Sequence, residues 1–504
     1  MPRRPPFWLT LLIILIGLPL CLPFLYVILR ATEVGLTRSV ELLFRPRIAE
    51  LLSNTMLLMV CVTIGAISLG TLCAFLLERC RFFGKAFFEV AMSLPLCIPA
   101  FVSCFTWISL TFRVEGFWGT IGIMTLSSFP LAYLPVSATL KRLDRSLEEV
   151  SLSLGKSSTY TFWHAIFPQL KPAIGSSILL IALHMLVEFG AVSILNYQTF
   201  TTAIFQEYEM SFNNSSAALL SAVLMAICAI IVFGEIFFRG KQTLYNSGKG
   251  VTYPVKKLSF GKQCVTFAFF SCIFMLSIGV PVVMLIYWLI VGNSRERAVD
   301  FSEFFAAFSH SLTISGLGAL LTVICALPLV WAAVRYSSKL TVWIDRLPYL
   351  LHAVPGLVIA LSLVYFTINY ANAIYQTFLV VIVAYFMLYL PMAQTTLRAS
   401  LEQLSDNIEK VGQSLGRSPF YIFRTLTLPA MLPGIAAAFA LVFLNLMKEL
   451  TATLLLTPND IKTLSTAVWE YTSDAQYAAA TPYALMLVLF SGIPVFLLKK
   501  YAFK

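Results

Sequence analysis

Glu188 and Glu449 stand inside long apolar stretches, and each has a polar residue four places earlier, His184 in one case and Asn445 in the other. On a helix that spacing puts each pair on one face. A carboxylate in hydrocarbon is costly and usually turns to the interior of a bundle. Such faces could line a path on which a cation is briefly met, or could bond backbone and polar groups between helices. Lys448 precedes Glu449 but points elsewhere, and Glu89 falls near the end of an apolar run. Other chemistry is poorly furnished. His164, His184, His310 and His352 are scattered, so no metal cluster is expected. The ten cysteines lie in or beside apolar runs without a C-x-x-C, and read as small apolar packers. A P-loop needs glycines whose backbone N–H groups cradle phosphates. Gly155-Lys156-Ser157 has Val150 where the first glycine should stand, and Gly84-Lys85, Gly240-Lys241 and Gly261-Lys262 lack the following Ser or Thr. No nucleotide, metal or other cofactor is expected on this chain.

The elements that must position these residues follow from composition. The 504 residues are 59% hydrophobic and 12% charged, with mean hydropathy +0.85. Soluble domains carry about 25% charged residues. That excludes a soluble enzyme, a disordered scaffold and a coiled coil, and makes the bilayer the solvent for most of the chain. The net charge of +11 is spread over short loops, which argues against nucleic acid. Apolar runs long enough to cross lie near 7–29, 51–77, 86–110, 118–140, 173–195, 217–238, 264–291, 311–334, 346–369, 374–396, 434–456 and 481–498. We number them spans one to twelve. The first follows Arg3 and Arg4 but is too long for a signal-peptide core, so it reads as retained. With both termini cytoplasmic, 26 of the 35 Lys and Arg fall on the cytoplasmic side, which fixes the expected orientation.

The chain repeats itself. Residues 53–79 align without a gap on 309–335 at an offset of 256, which holds at Pro99 and Pro355 and at Tyr133-Leu134-Pro135 and Tyr389-Leu390-Pro391. It then becomes 261, pairing Gly155 with Gly416, Pro168 with Pro429 and Glu188 with Glu449. Six crossings per copy give both the same orientation, a parallel repeat with a pathway expected between the halves. The predicted fold is an all-α membrane protein: twelve transmembrane helices in two parallel six-helix repeats. The expected domains are a first half over 1–240, a cytoplasmic linker over 241–263 and a second half over 264–504.

The loops between the fourth and fifth spans of each half, 143–172 and 404–433, parse as a short helix, a glycine break, a second short helix and a proline stop. Leu143, Leu147, Val150 and Leu154 recur at helical spacing, as do Leu404, Ile408, Val411 and Leu415. Gly155 and Gly416 suit a helix end with positive φ. Ser157 and Ser418 can cap the next helix, Pro419 fits its first turn, and Pro168 and Pro429 end it. A loop resting on the bilayer would serve for one copy. Two copies favour a docking surface for a repeated partner.

This loop resembles the EAA loop of ABC importer permeases, an E-A-A-x-x-x-G followed by a hydrophobic-Pro. It stands here as Glu149-Val150-Ser151…Gly155…Phe167-Pro168 and Lys410-Val411-Gly412…Gly416…Leu428-Pro429. Neither copy keeps the Ala pair, and in the second the acid is Glu409, one place early. The segments 186–205, 446–458 and 469–484 are similar to the ferric-iron uptake branch of fused permeases. The resemblance implies an inner-membrane transport subunit that is not itself an enzyme. ATP and Mg would belong to two copies of a separate cytoplasmic ATPase, and a periplasmic binding protein would deliver the substrate. It implies that Glu148, Glu149, Gly155 and Pro168, with Glu409, Gly416 and Pro429, couple the ATPase to transport. His184, Glu188, Asn445 and Glu449 are the expected pathway faces. Related permeases import thiamine or other small solutes. Two rivals lie outside the family: a six-plus-six secondary transporter, which should carry inverted three-span repeats, and a polytopic membrane enzyme, which should cluster acids or histidines at one face. The importer reading predicts that an ATPase co-purifies with the chain from detergent-solubilised membranes; recovery of the chain alone favours either rival.

Overall fold

The structure, a computed structural model, describes residues 5–35, 41, 43–143, 146–209, 214–239, 256–292, 300–336, 339–351, 354–404, 411–412 and 414–502. Hydrocarbon offers no partner to a backbone N–H or C=O, and a helix satisfies those groups within itself. Among the described residues nine helices are long and apolar enough to cross a bilayer. They are Phe7–Arg30, Pro46–Arg79, Phe117–Arg142, Ser158–Val187, Ser215–Val232, Phe260–Gly292, Phe301–Arg335, Phe378–Glu402 and Phe420–Met447. These carry spans one, two, four, five, six, seven, eight, ten and eleven. The twelfth run lies in the helix Tyr477–Ala502, apolar over Tyr477–Gly492.

Spans three and nine depart from the straight helices expected over 86–110 and 346–369. Lys85–Cys97 meets Ala100–Leu110 at 94°, and Trp343–Leu351 meets Gly356–Tyr370 at 107°. Proline pushes the residue before it out of the helical region. Ile98, before Pro99, is extended at φ −94°, ψ 118°. Pro99 and Pro355, the residues matched by the repeat, sit at the N-caps of the helices that follow, with ψ 141° in both. Counted as one span each, the bent pairs bring the total to eleven.

The two sequence halves are interlocked in space. Span one packs on the second half: the Trp8 ring lies 6.0 Å from Trp331 and 6.2 Å from Phe420, and Arg30 sits 4.5 Å over Tyr365. Span seven repeats this on the first half, where Phe270 stacks on Phe82 at 5.4 Å and Phe267 meets Phe88 edge-on. Each of the two buried cores accordingly mixes residues of both halves. Outward apolar side chains such as Leu15, Ile64, Ile290 and Ile324 stay exposed, as hydrocarbon-facing residues must. Most of the linker, 241–263, lies outside the described residues. Its last part forms a two-residue parallel pairing, Cys80–Arg81 with Lys256–Lys257.

Span two approaches span four closely. A Cβ on Gly70 would lie 2.7 Å from the carbonyl oxygen of Phe129 and 2.8 Å from the amide nitrogen of Tyr133, both backbone atoms that cannot swing aside. Small residues at such crossings let helices pack without the help of water. Gly70→Val should therefore lower the thermal unfolding midpoint and the membrane level of the protein, overpacking being worth about 1–3 kcal/mol. Gly122→Val, at a position with open space around it, should change neither; equal behaviour of the two variants would refute the close-packing account.

Candidate functional site

The elbow after span four begins with the helix Ser146–Ser153. Gly155 follows at φ +78°, and Gly416 sits at φ +75° in the second copy. At these left-handed residues the amides turn back on the helix: Lys156 N donates to Ser151 O at 3.2 Å, and Arg417 N to Gly412 O at 3.2 Å. Ser157 Oγ accepts from Tyr160 N at 3.2 Å and Ser418 Oγ from Tyr421 N at 3.3 Å, capping the next helix. The tip is apolar and exposed, with Leu154 at 72% and Leu415 at 73%. A cation over an aromatic ring flanks it in both copies, Lys156 on Tyr160 and Arg417 on Tyr421.

The prolines do not end the second helix, contrary to the sequence expectation. Ser158–Thr161 continues through a π-turn, Phe162–Ile166, into Phe167–Val187. Pro419–Ile422, Phe423–Thr427 and Leu428–Met447 repeat the pattern. In the wide turn Phe167 N bonds back to Phe162 O, and Leu428 N to Phe423 O. The wide turn already interrupts the ordinary i→i−4 ladder, so Pro168 and Pro429, each just after it, break no regular run of bonds. Each elbow is thus continuous with a membrane-spanning helix.

Those helices end inside the protein, and here the expected fifth and eleventh spans, 173–195 and 434–456, are each broken. Phe167–Val187 stops, Glu188 is extended at φ −68°, ψ 126°, and a short helix Gly190–Ile194 resumes. Leu428–Met447 stops likewise before Thr451–Leu456. The glutamates do not lie mid-helix; they cap the break. Glu188 Oε1 accepts from Ala191 N at 3.1 Å, and Glu449 Oε1 from Ala452 N at 3.1 Å. An amide freed at membrane depth has no water to bond, and an acceptor must come from the chain. The second oxygens differ. Glu188 Oε2 lies 3.8 Å from His184 Nε2, and Glu449 Oε2 accepts from Tyr389 OH at 3.0 Å. Asn445 does not pair with Glu449, because its amide is taken by Leu441 O at 2.8 Å and Met392 Sδ at 3.5 Å.

A second set of residues escaped the sequence reading. After each break the chain returns through a hydroxyl-rich turn, Thr199-Phe200-Thr201-Thr202 and Thr463-Leu464-Ser465-Thr466. Thr202 Oγ1 accepts from Thr199 N, and Thr466 Oγ1 from Thr463 N, both at 2.8 Å. Thr201 Oγ1 donates to Glu188 O at 2.7 Å, and Ser465 Oγ to Glu449 O at 2.8 Å. Thr55 Oγ1 on span two accepts from Phe200 N at 3.0 Å, and Ser311 Oγ on span eight from Leu464 N at 2.7 Å. The pattern T-apolar-[TS]-T following each glutamate was the available signal. A three-residue change in spacing between the copies hides it from a fixed-offset comparison.

The two breaks meet at the seam between the halves. A Cβ on Gly190 would lie 2.7 Å from Leu450 Cδ2, and Phe189 packs on Trp469 at 5.1 Å. Lys448 reaches across to Leu96 O, at the bend of span three, at 3.2 Å. The repeat places Val187 at the matching position, so this bridge has no twin. Among the described residues no three His, Cys, Asp or Glu side chains are placed to hold a metal ion. At the elbow Glu148 turns inward to Arg79 at 2.6 Å, while Glu149 is exposed. Glu409 and Lys410 lie outside the described residues.

Comparison with known proteins gives a consistent picture. Residues 66–240 and 324–501 match the family described as binding-protein-dependent transport system inner membrane component. The chain is 90% identical, over the whole of both chains, to the Fe(3+)-transport system permease protein FbpB 2 of Haemophilus influenzae. It is 23% identical to the ferric transport system permease protein FbpB of Actinobacillus pleuropneumoniae, over 74% of this chain and 57% of that one. A probable sulfate transport system permease of Chlorokybus atmophyticus is 30% identical over 35% of this chain and 68% of its own length.

The hydroxyl turns close the breaks, so their loss should be felt in stability. Thr201→Val removes the hydroxyl that donates to Glu188 O, and Ser465→Ala removes one of the two, with that of Thr453, that donate to Glu449 O; each should destabilise the purified protein by about 1 kcal/mol. Thermal unfolding measures this. Thr313→Val, which removes a hydroxyl bonded only within its own exposed helix turn, is the control expected to leave the midpoint unmoved.

Proposed function

Since the chain belongs to the family of binding-protein-dependent transport system inner membrane components, we propose that it is the permease of a ferric-iron importer, driven by a separate ATPase through its two elbows. The permease relatives named for ferric transport support the cargo, above all the one matched at 90% identity from end to end. The observation that carries the mechanism is the duplicated continuity of elbow, helix and capped break. A push on an exposed elbow reaches, along one unbroken helix, the place where the two halves touch.

In this reading both termini face the cytoplasm, which the Lys and Arg bias supports. Two copies of a cytoplasmic ATPase, which hold ATP and Mg, receive the elbows. Glu149, Gly155 and Pro168, with Gly416 and Pro429, form or shape the docking surface, Glu148 anchors its base, and Glu409, which the repeat aligns with Glu148, takes part in coupling in the second copy. A periplasmic binding protein delivers the iron at the opposite face. Hydrolysis rocks the halves, and access alternates at the seam. His184, Glu188 and Glu449 face the passing cargo. Asn445, tied to its own helix and to Met392, shapes the wall. The glutamates do double service: one oxygen holds the backbone, and the other is left for His184 or Tyr389 in the resting chain.

Glutamine keeps the capping oxygen and removes the charge, so it separates these two services. The Glu188→Gln, Glu449→Gln double variant should keep normal membrane levels and lose most ferric-iron uptake in vesicles containing the whole importer. The corresponding alanine pair should also lose stability, a missing cap being worth about 1 kcal/mol. Uptake at the parental rate by the glutamine pair, at equal protein level, would overturn the pathway role.

A further inference from the structure

The elbow and the break are joined a second time, by a helix the family comparison does not single out. Span two, Pro46–Arg79, packs alongside the fifth-span helix. At its far end Thr55 holds the backbone of Phe200, in the turn whose Thr201 holds Glu188 O. Asn54 Nδ2 donates to Gln198 O at 3.3 Å, and Tyr197 OH returns a bond to Asn54 O at 3.4 Å. At its near end Arg79 is buried and bridges two segments. Its Nη1 donates to Leu140 O, at the end of span four, at 3.2 Å, and its Nη2 meets Glu148 Oε1 of the elbow at 2.6 Å. Beside it Glu78 accepts from Ser137 at 2.6 Å and pairs with Lys141 at 3.4 Å.

The second half repeats this at the offset of the duplication. Span eight, Phe301–Arg335, packs along the eleventh-span helix. Ser311 holds Leu464 N, and His310 meets Lys462 O at 3.2 Å. At the other end Arg335 Nη2 donates to Leu404 O at 3.3 Å. The repeat aligns Glu409 with Glu148, and Lys410 with Glu149. So the acid kept in both copies is the one that faces the arginine in the first, not the exposed one of the family pattern.

We infer that Arg79 and Thr55, and in the second half Arg335 and Ser311, are positioning residues that make spans two and eight tie-rods, each joining its elbow to the hydroxyl-rich turn after the break, here termed the gate turn. The inference rests on the importer reading and adds a transmission path to it. Two neighbouring helices fastened to each other at both ends form a closed frame. Displacement of the elbow then moves the break and the gate turn together instead of bending one helix. Thr55 and Arg79 are 24 residues apart on one helix, or about 36 Å, so neither can touch the other's partners.

That separation supplies the test. Distant sites normally contribute independently, whereas two fastenings of one rod act in series. Arg79→Gln, Thr55→Val and the double variant are compared in reconstituted complexes with the partner ATPase and the iron-loaded binding protein. The readouts are ferric-iron uptake, ATP hydrolysed per iron, and ATPase recovered with the permease. Each single variant should lose about two- to thirtyfold in uptake and hydrolyse more ATP per iron, at unchanged ATPase recovery. The double should be no worse than the weaker single, and the charge exchange of Arg79→Glu with Glu148→Arg should regain uptake. If Arg79→Gln does not assemble, Glu148→Gln removes the same pair and takes its place. Losses that multiply in the double, or singles that behave as the parent, overturn the tie-rod. A parent complex that accumulates no ferric iron overturns the cargo reading instead, and the series test is then read from ATPase stimulation.

Discussion

A backbone interrupted inside a bilayer must bond its freed amides to the protein itself, because hydrocarbon gives nothing in return. That constraint shapes the centre of this molecule. Glu188 and Glu449 are where they are because Ala191 and Ala452 need an acceptor. Thr201 donates to the carbonyl of Glu188, and Ser465 and Thr453 together to that of Glu449. Thr55 and Ser311 complete the set by accepting the amides of the returning turns. A carboxylate recruited for this duty also places its second oxygen at the seam, facing His184 in one copy and Tyr389 in the other.

The same economy of backbone bonds explains the elbows. A proline within a helix usually ends or kinks it. Here a π-turn precedes each one, at Phe162–Ile166 and Phe423–Thr427, and the helix carries on into the membrane. Rigid connection, which a loop would lack, follows from this detail. Exchange of the first spans between the halves adds a second constraint, since neither core is complete without the other half.

The two copies differ at that seam. Lys448 bridges to Leu96 O, where the first copy offers Val187. Glu449 is held by Tyr389, while Glu188 faces His184, and Tyr133, the match of Tyr389, bonds Glu89 O instead. At the elbow the exposed Glu149 of the first copy is matched in the sequence of the second by Lys410. A fused chain can vary each half of a two-fold architecture independently, and these differences fall at the seam and at the elbow.

Much was legible in the order of residues alone. Apolar run length marked out the candidate spans, because bilayer thickness sets a length scale, and among the described residues nine to eleven of them are long and apolar enough to cross. The offset of 256, then 261, fixed the parallel repeat, and glycine at positions 155 and 416 fixed the sharp ends of the elbow helices, because only glycine takes positive φ freely. Apolarity, however, does not distinguish a straight helix from a bent or broken one, so the bends at Pro99 and Pro355 and the breaks at Glu188 and Glu449 were hidden within continuous runs. Spacing likewise placed Asn445 beside Glu449, yet its amide is spent on Leu441 O. Which hydroxyl meets which amide, which arginine meets Glu148, and where Lys448 reaches are contacts between residues far apart in the chain. Helix packing decides them, and no local pattern encodes a partner that only packing brings near.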